Sequence, residues 1–257
     1  ANPSALLPRS SGAVSPPPSG ETAPLLTVDA VSKSFGGVQA LQEVSFDVAE
    51  GSVVALIGPN GAGKTTLFNC ISGFARPDTG EVRFAGRRID RLAPHRIARR
   101  GMVRTFQSIR MYRDLTVFES LLVSGVARRG RRSVRARAEE VIERLALGPV
   151  ADRVTTDLPL LAQRTVEVAR ALMTDPRLIL LDEPTAGATT GERHQLAGLI
   201  AELRAGGRTV IVIEHNVPFV MEVSDHIVVL DFGKVVAAGE PAEIAADPVV
   251  QEIYLGV

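Results

Sequence analysis

From residue 25 onward the chain alternates short apolar runs with longer amphipathic ones. Runs of β type occupy residues 25–29, 39–48, 53–57 and 81–85, separated by turn signals such as Gly36-Gly37 and Asp78-Thr79-Gly80. From about 86 to 175 the pattern is mostly helical. Apolar side chains recur there at Val134, Ala138, Val141, Ile142 and Leu145, with Arg and Glu between them. Residues 178–181, 209–213 and 227–230 are unbroken apolar runs of strand length, which suits a sheet buried on both faces. Helical stretches at about 191–205 and 216–223 alternate with these runs. Residues 231–234 read as the turn of a late hairpin. The order predicts an α/β domain over 25–257: an N-terminal antiparallel β part, a mixed or parallel core sheet and a helical insertion at about 107–172. Residues 1–24 are rich in Pro, Ser, Gly and Ala, and are expected to form a disordered linker or tail.

One segment between these runs carries specific chemistry. Gly58-Pro59-Asn60-Gly61-Ala62-Gly63-Lys64-Thr65-Thr66 matches the G-x-x-x-x-G-K-[ST] loop, with an apolar β-type run before it and a helical run after it. Side chains at the glycines would obstruct a backbone that wraps a phosphate with its N–H groups. The following helix directs its positive dipole end at the anion. Lys64 reaches the β- and γ-phosphates, and Thr65 offers its hydroxyl to Mg²⁺. The second strong segment is Leu178-Ile179-Leu180-Leu181-Asp182-Glu183-Pro184. A buried strand ending in an acidic pair can hold Mg²⁺ through water at Asp182 and polarise the attacking water at Glu183.

Composition narrows the field. Hydrophobic residues make up 45% and charged residues 23%, as in globular domains, and 29 Lys+Arg balance 29 Asp+Glu. That neutrality argues against nucleic acid as a partner. The arginines at 128, 129, 131, 132, 135 and 137 therefore read as a solvated helix start. The single Cys70 excludes an internal disulfide and reads as a small buried residue. No apolar run approaches the roughly 18 residues of a membrane span, and no signal-peptide pattern is visible.

Three further residues gain weight only from their order around the two motifs. Gln107 follows Val103-Arg104-Thr105-Phe106, His215 follows the run 209–213, and Phe35 precedes Gly36-Gly37. Alone they read as a surface glutamine, a structural histidine and a core aromatic. Together with Asp114-Leu115-Thr116-Val117-Phe118-Glu119, Glu167-Val168-Ala169-Arg170-Ala171-Leu172 and Tyr254-Leu255-Gly256, they make the chain resemble, from about 25 to 255, the ATP-binding subunits of ABC transporters. Within that superfamily it is most similar to the branched-chain amino-acid importer group.

The resemblance implies ATP and Mg²⁺ as ligands. Phe35 takes the adenine-stacking position and Asn60, Gly61, Gly63, Lys64, Thr65 and Thr66 the phosphate grip. Thr65, Gln107 and Asp182 lie around the metal, and Glu183, His215 and Gln107 around the attacking water. It also implies an ATPase peripheral to the cytoplasmic face of a membrane. Its partners would be permease subunits, separate or fused upstream, a second cassette and, indirectly, a substrate-binding protein. Met111, Tyr112, Leu115 and Val117 are candidates for the groove that receives a permease helix.

The chain departs from the family where one subunit completes its partner's site. An LSGGQ-type signature aligns with Leu158-Pro159-Leu160-Leu161-Ala162, just before the helix expected at 167–172. The D-loop aligns with Ala186-Gly187-Ala188-Thr189 and lacks an aspartate. Serine and glycines give way to proline and leucines, so a heterodimer with an intact partner is expected. A non-catalytic ATP-binding module and a soluble non-transport ABC ATPase remain the alternative readings.

Overall fold

The computed structural model describes residues 23–105, 112, 114–126 and 131–255. The chain opens with β1 (Leu26–Phe35) and β2 (Val38–Val48), an antiparallel pair whose register is interrupted near Ala30 and Glu43, both at positive φ. Next come β3 (Val53–Ile57), α1 (Lys64–Ser72), β4 (Thr79–Phe84), β5 (Arg87–Arg88), α2 (Pro94–Arg99) and β6 (Met102–Arg104). The helices α3 (Val117–Gly125), α4 (Arg131–Arg144) and α5 (Leu160–Leu172) follow. The remainder is β7 (Leu178–Asp182), α6 (Thr190–Ala205), β8 (Thr209–Ile213), α7 (Val217–Val223), the hairpin β9 (His226–Asp231) and β10 (Lys234–Gly239), then α8 (Pro241–Ala246) and α9 (Pro248–Leu255).

Two sheets result. The first runs β2-β1-β4-β5 and is antiparallel. The second runs β10-β9-β3-β8-β7-β6 and is parallel except for its final hairpin. Strand side chains alternate between faces, so the wholly apolar strands of the second sheet feed two cores. Val53, Ala55 and Ile57 of β3 pack with α3, α4, α5, α6 and α7, whereas Val54 and Leu56 pack with α1 and the first sheet. That double burial explains why β3, β7 and β8 show no polar alternation.

The structure revises several boundaries. β1 runs on to Phe35, and the stretch expected to be mostly helical after residue 86 contains β5 and β6. α5 starts at Leu160 rather than near Glu167, because Pro159 can stand before a first helical turn but not inside one. Arg137 is not solvated: it is buried and donates to the Leu172 carbonyl, tying α4 to the end of α5. Val117 is fully buried and cannot line a surface groove; Tyr112 is exposed, and Met111 lies outside the described residues. Cys70 is buried, which pushes its thiol up to about 11.

Candidate nucleotide site

The parallel strands of the second sheet carry their candidate residues at one end. Leu56 of β3 and Asp182 of β7 are both level with Ile213 of β8, which runs between them. The Gly58–Thr66 loop, His215 and the Asp182-Glu183 pair therefore leave three adjacent strands at the same height. Ligands of open α/β sheets sit in the crevice beyond these carboxyl ends.

The loop is moulded by its surroundings. Gly58 and Gly63 have φ of 149° and 103°. A Cβ on Gly58 would collide with the Leu230 carbonyl, and one on Gly63 with the Ala40 carbonyl. Gly63 caps α1 without any side-chain hydrogen bond, and no acidic residue occupies the first turn. The free N–H groups and the dipole of α1 are thus left for an anion. Lys64 is buried, and its Nζ donates to the carbonyls of Gly58 (2.7 Å) and Pro59 (2.9 Å). Burial pulls its ammonium below the ordinary lysine pKa, and the Glu183 carboxylate opposes that shift. Two residues from separate strand ends therefore share one electrostatic neighbourhood. Thr65, Asn60 and Gly61 face solvent, and Thr66 is half-buried.

Asp182 is buried, and its Oδ2 accepts from Arg104 at 2.7 Å. The same guanidinium donates to Asn69 Oδ1 (2.7 Å) and Ser72 Oγ (3.2 Å) of α1. Arg104 thus joins the strand end of β7 to the helix behind the loop. Glu183 is half-buried at φ 47°, an uncommon conformation for a residue with a side chain, and its N–H donates to the Ile213 carbonyl at 3.0 Å. The imidazole of His215 is 61% exposed. Phe35 is 52% exposed, with Lys33 Nζ 5.3 Å from its ring centroid, so it is not a core aromatic. Gln107 lies outside the described residues, two positions beyond Thr105, whose N–H bonds the Leu180 carbonyl.

Two residues escaped the sequence reading. Arg104 stands in the stretch Val103-Arg104-Thr105-Phe106-Gln107, where nothing in the pattern marks its side chain as a bridge. Glu214 is an acid directly after an apolar strand, and it is completely buried. That placement was the available signal.

A profile of the family described as ABC transporter matches residues 41–186. The chain belongs to the ABC transporter family. This ABC cassette is 41% identical over 250 residues to the high-affinity branched-chain amino acid transport ATP-binding protein BraF of Pseudomonas aeruginosa, covering 91% of this chain and 98% of the relative. It is 40% identical, with the same coverages, to the corresponding protein LivG of Escherichia coli K12. Among solved structures, a nucleotide-free ATP-binding cassette from an ABC transporter aligns with a TM-score of 0.82 at 34% identity, covering 91% of this chain and all of that one. The ADP conformation of an ABC transporter cassette aligns with the same score and identity, covering 92% and 100%. The fold is the P-loop ABC type, α/β with an antiparallel and a mixed sheet.

The segments aligned with the signature and D-loop lie side by side in this cassette. Leu160, Leu161 and Ala162 form the first turn of α5 and are half-buried. A Cβ on Gly187 would be in ordinary contact with the Leu160 side chain. Thr189 caps α6, exchanging hydrogen bonds with Glu192. Among the described residues, no helix is long and apolar enough to cross a membrane.

Proposed function

We propose that this cassette binds Mg²⁺·ATP and hydrolyses it to drive import of branched-chain amino acids through a membrane permease. The observation that carries this reading is the row of strand ends that sets the loop, His215 and Asp182-Glu183 side by side. The names of its relatives, which are branched-chain amino acid transport ATP-binding proteins, supply the substrate class. The residues suit the nucleotide. Lys64 already holds two carbonyl oxygens that phosphate oxygens can replace, and α1 offers uncapped N–H groups. The Thr65 hydroxyl and the Asp182 carboxylate are hard oxygen donors of the kind Mg²⁺ takes.

In this reading Lys64 and the loop amides bind the β- and γ-phosphates and stabilise charge on the transferred group. Glu183 orients the attacking water and draws its proton, His215 meets the γ-phosphate, and Gln107 serves the Mg²⁺ and the attacking water. Phe35 stacks on adenine. The chain sits peripherally at the cytoplasmic face of the membrane, docked on its permease, with a binding protein delivering solute. The test is leucine uptake by vesicles holding the assembled transporter. Lys64→Ala should lose ATP turnover and uptake, at a cost of about 2.7–4 kcal/mol in transition-state stabilisation, while the domain remains folded. Near wild-type turnover would overturn the assignment of the loop.

A second reading, an ATP-binding module that hydrolyses little by itself, is favoured by one observation: Pro159, Leu160 and Leu161 stand where a serine hydroxyl and glycine amides would serve a partner's ATP.

A further inference from the structure

Glu214 is fully buried, and among the described residues no Lys or Arg pairs with it; the His215 Nδ1 lies 3.9 Å from its Oε2. An unpaired carboxylate is costly to bury unless hydrogen bonds replace its water. Glu214 obtains two, both from backbone. Oε1 accepts from the Thr185 N–H at 2.8 Å, and Oε2 from the His215 N–H at 3.2 Å. Its own N–H donates to the Leu56 carbonyl on β3 at 3.4 Å. One residue therefore bonds to β3, to the turn that follows β7 and to the segment that follows β8.

The placement explains a geometric problem at Glu183. The ladder between β7 and β8 ends with the Glu183 N–H on the Ile213 carbonyl. Beyond it the chain turns, with Glu183 at φ 47° and the Ala186 N–H on the Glu183 carbonyl. The next free donor, Thr185 N–H, would be orphaned in a buried position if the residue at 214 were apolar. The Glu214 carboxylate continues the ladder by one rung with a side chain. That rung fixes the turn presenting Glu183, while the other oxygen fixes the start of the segment presenting His215.

We propose that Glu214 is a positioning residue for ATP hydrolysis, a carboxylate clamp that holds Glu183 and His215 in fixed relation at the ends of β7 and β8. Fully buried, it acts through the two backbone N–H groups it holds. The proposal rests on the ATPase reading above, because it assigns Glu183 and His215 to the reaction.

The experiment uses the full-length protein assembled with its permease, and compares Glu214→Gln and Glu214→Ala with wild type. Glutamine keeps the volume and one acceptor, but sets an NH₂ against the second N–H. Alanine leaves both N–H groups unpaired. The expected result is a kcat lowered about tenfold or more in the alanine variant and less in the glutamine variant, as losing a buried acceptor warrants. The KM for Mg²⁺·ATP and the binding of a fluorescent ATP analogue should stay near wild type. Hydrogen exchange at the Thr185 and His215 amides should quicken in step with the loss of kcat. In a His215→Ala background the alanine variant should lose little more, since both changes disable one unit. Wild-type kcat in a folded Glu214→Ala protein would overturn the clamp. So would losses that simply add to those of His215→Ala and come with weakened nucleotide binding. Lys64→Ala run in parallel separates the two claims. If it hydrolyses as fast as wild type, the ATPase reading fails, and amide exchange at Thr185 and His215 still decides whether Glu214 clamps the two segments.

Discussion

At the scale of single residues, the site depends on backbone positions as much as on side chains. Glu183 illustrates this, since its φ of 47° turns the backbone at the residue that follows the end of β7. Glu183→Gln keeps shape and size but cannot accept a proton. It should bind Mg²⁺·ATP normally and hydrolyse it about a hundredfold or more slowly, the lower range for loss of a positioned base. Single-turnover hydrolysis in the assembled transporter checks this, and an unchanged rate would move the role to His215. The loop and the acidic pair were legible from sequence because their residue types and spacing are dictated by phosphate and Mg²⁺ chemistry. Glu214 and Arg104 were not, because their partners are a backbone amide 29 positions away and a carboxylate 78 positions away. No local pattern encodes such pairings.

Among the elements, β4 and β5 form a corner stapled by Asp90. Its Oδ1 accepts from Arg88 Nε (2.8 Å) and the Val82 N–H (3.3 Å), and its Oδ2 from Arg88 (3.1 Å). Burial alone would raise its pKa, but these donors outweigh it and hold the carboxyl below the ordinary 3.8. A depressed folded pKa means that the stabilisation is fully present above the unfolded value, and is lost as pH falls through the folded one. Asp90→Asn should therefore cost about 1–3 kcal/mol at pH 7, and the gap to wild type should narrow below about pH 4. Denaturant unfolding at pH 7 and pH 3 measures both. The strands β3, β7 and β8 and the late hairpin were readable from apolar runs alone. β5 and β6 were not, since two or three residues are too few to show a period, and the start of α5 is hidden because the resemblance sets Leu158–Ala162 as a signature segment ahead of the helix.

For the whole molecule, the residues that would serve this chain's own ATP and those that would serve a partner's ATP differ in quality. Loop, acidic pair and His215 occupy one row, whereas the segments aligned with the signature and D-loop end in leucines and a helix-capping threonine. A homodimer would lack the serine donor at both sites. A heterodimer with an intact partner would have one competent site, built from this chain's loop and the partner's signature. Turnover of this chain alone should stay low at every protein concentration and rise when the partner cassette is added. Brisk activity that grows with concentration in the chain alone would show that backbone donors at 158–162 suffice.

The close approach of Gly58 to Leu230, together with the Gly233 N–H on the Ala62 carbonyl, has a consequence for biosynthesis. The phosphate loop comes well before β8 and β9, the strands flanking β3, in the order of synthesis. A nascent chain ending at residue 205 has the loop, Lys64 and the acidic pair, but neither neighbour of β3. Such a fragment should fail to retain an ATP analogue on a filter. Cellular ATP would then stabilise only chains that have reached the β9–β10 hairpin, because a ligand adds stability only to the state that binds it. Products that stop short of these strands would remain unprotected and open to proteolysis, so the nucleotide would inspect the sheet around β3 before serving as a fuel.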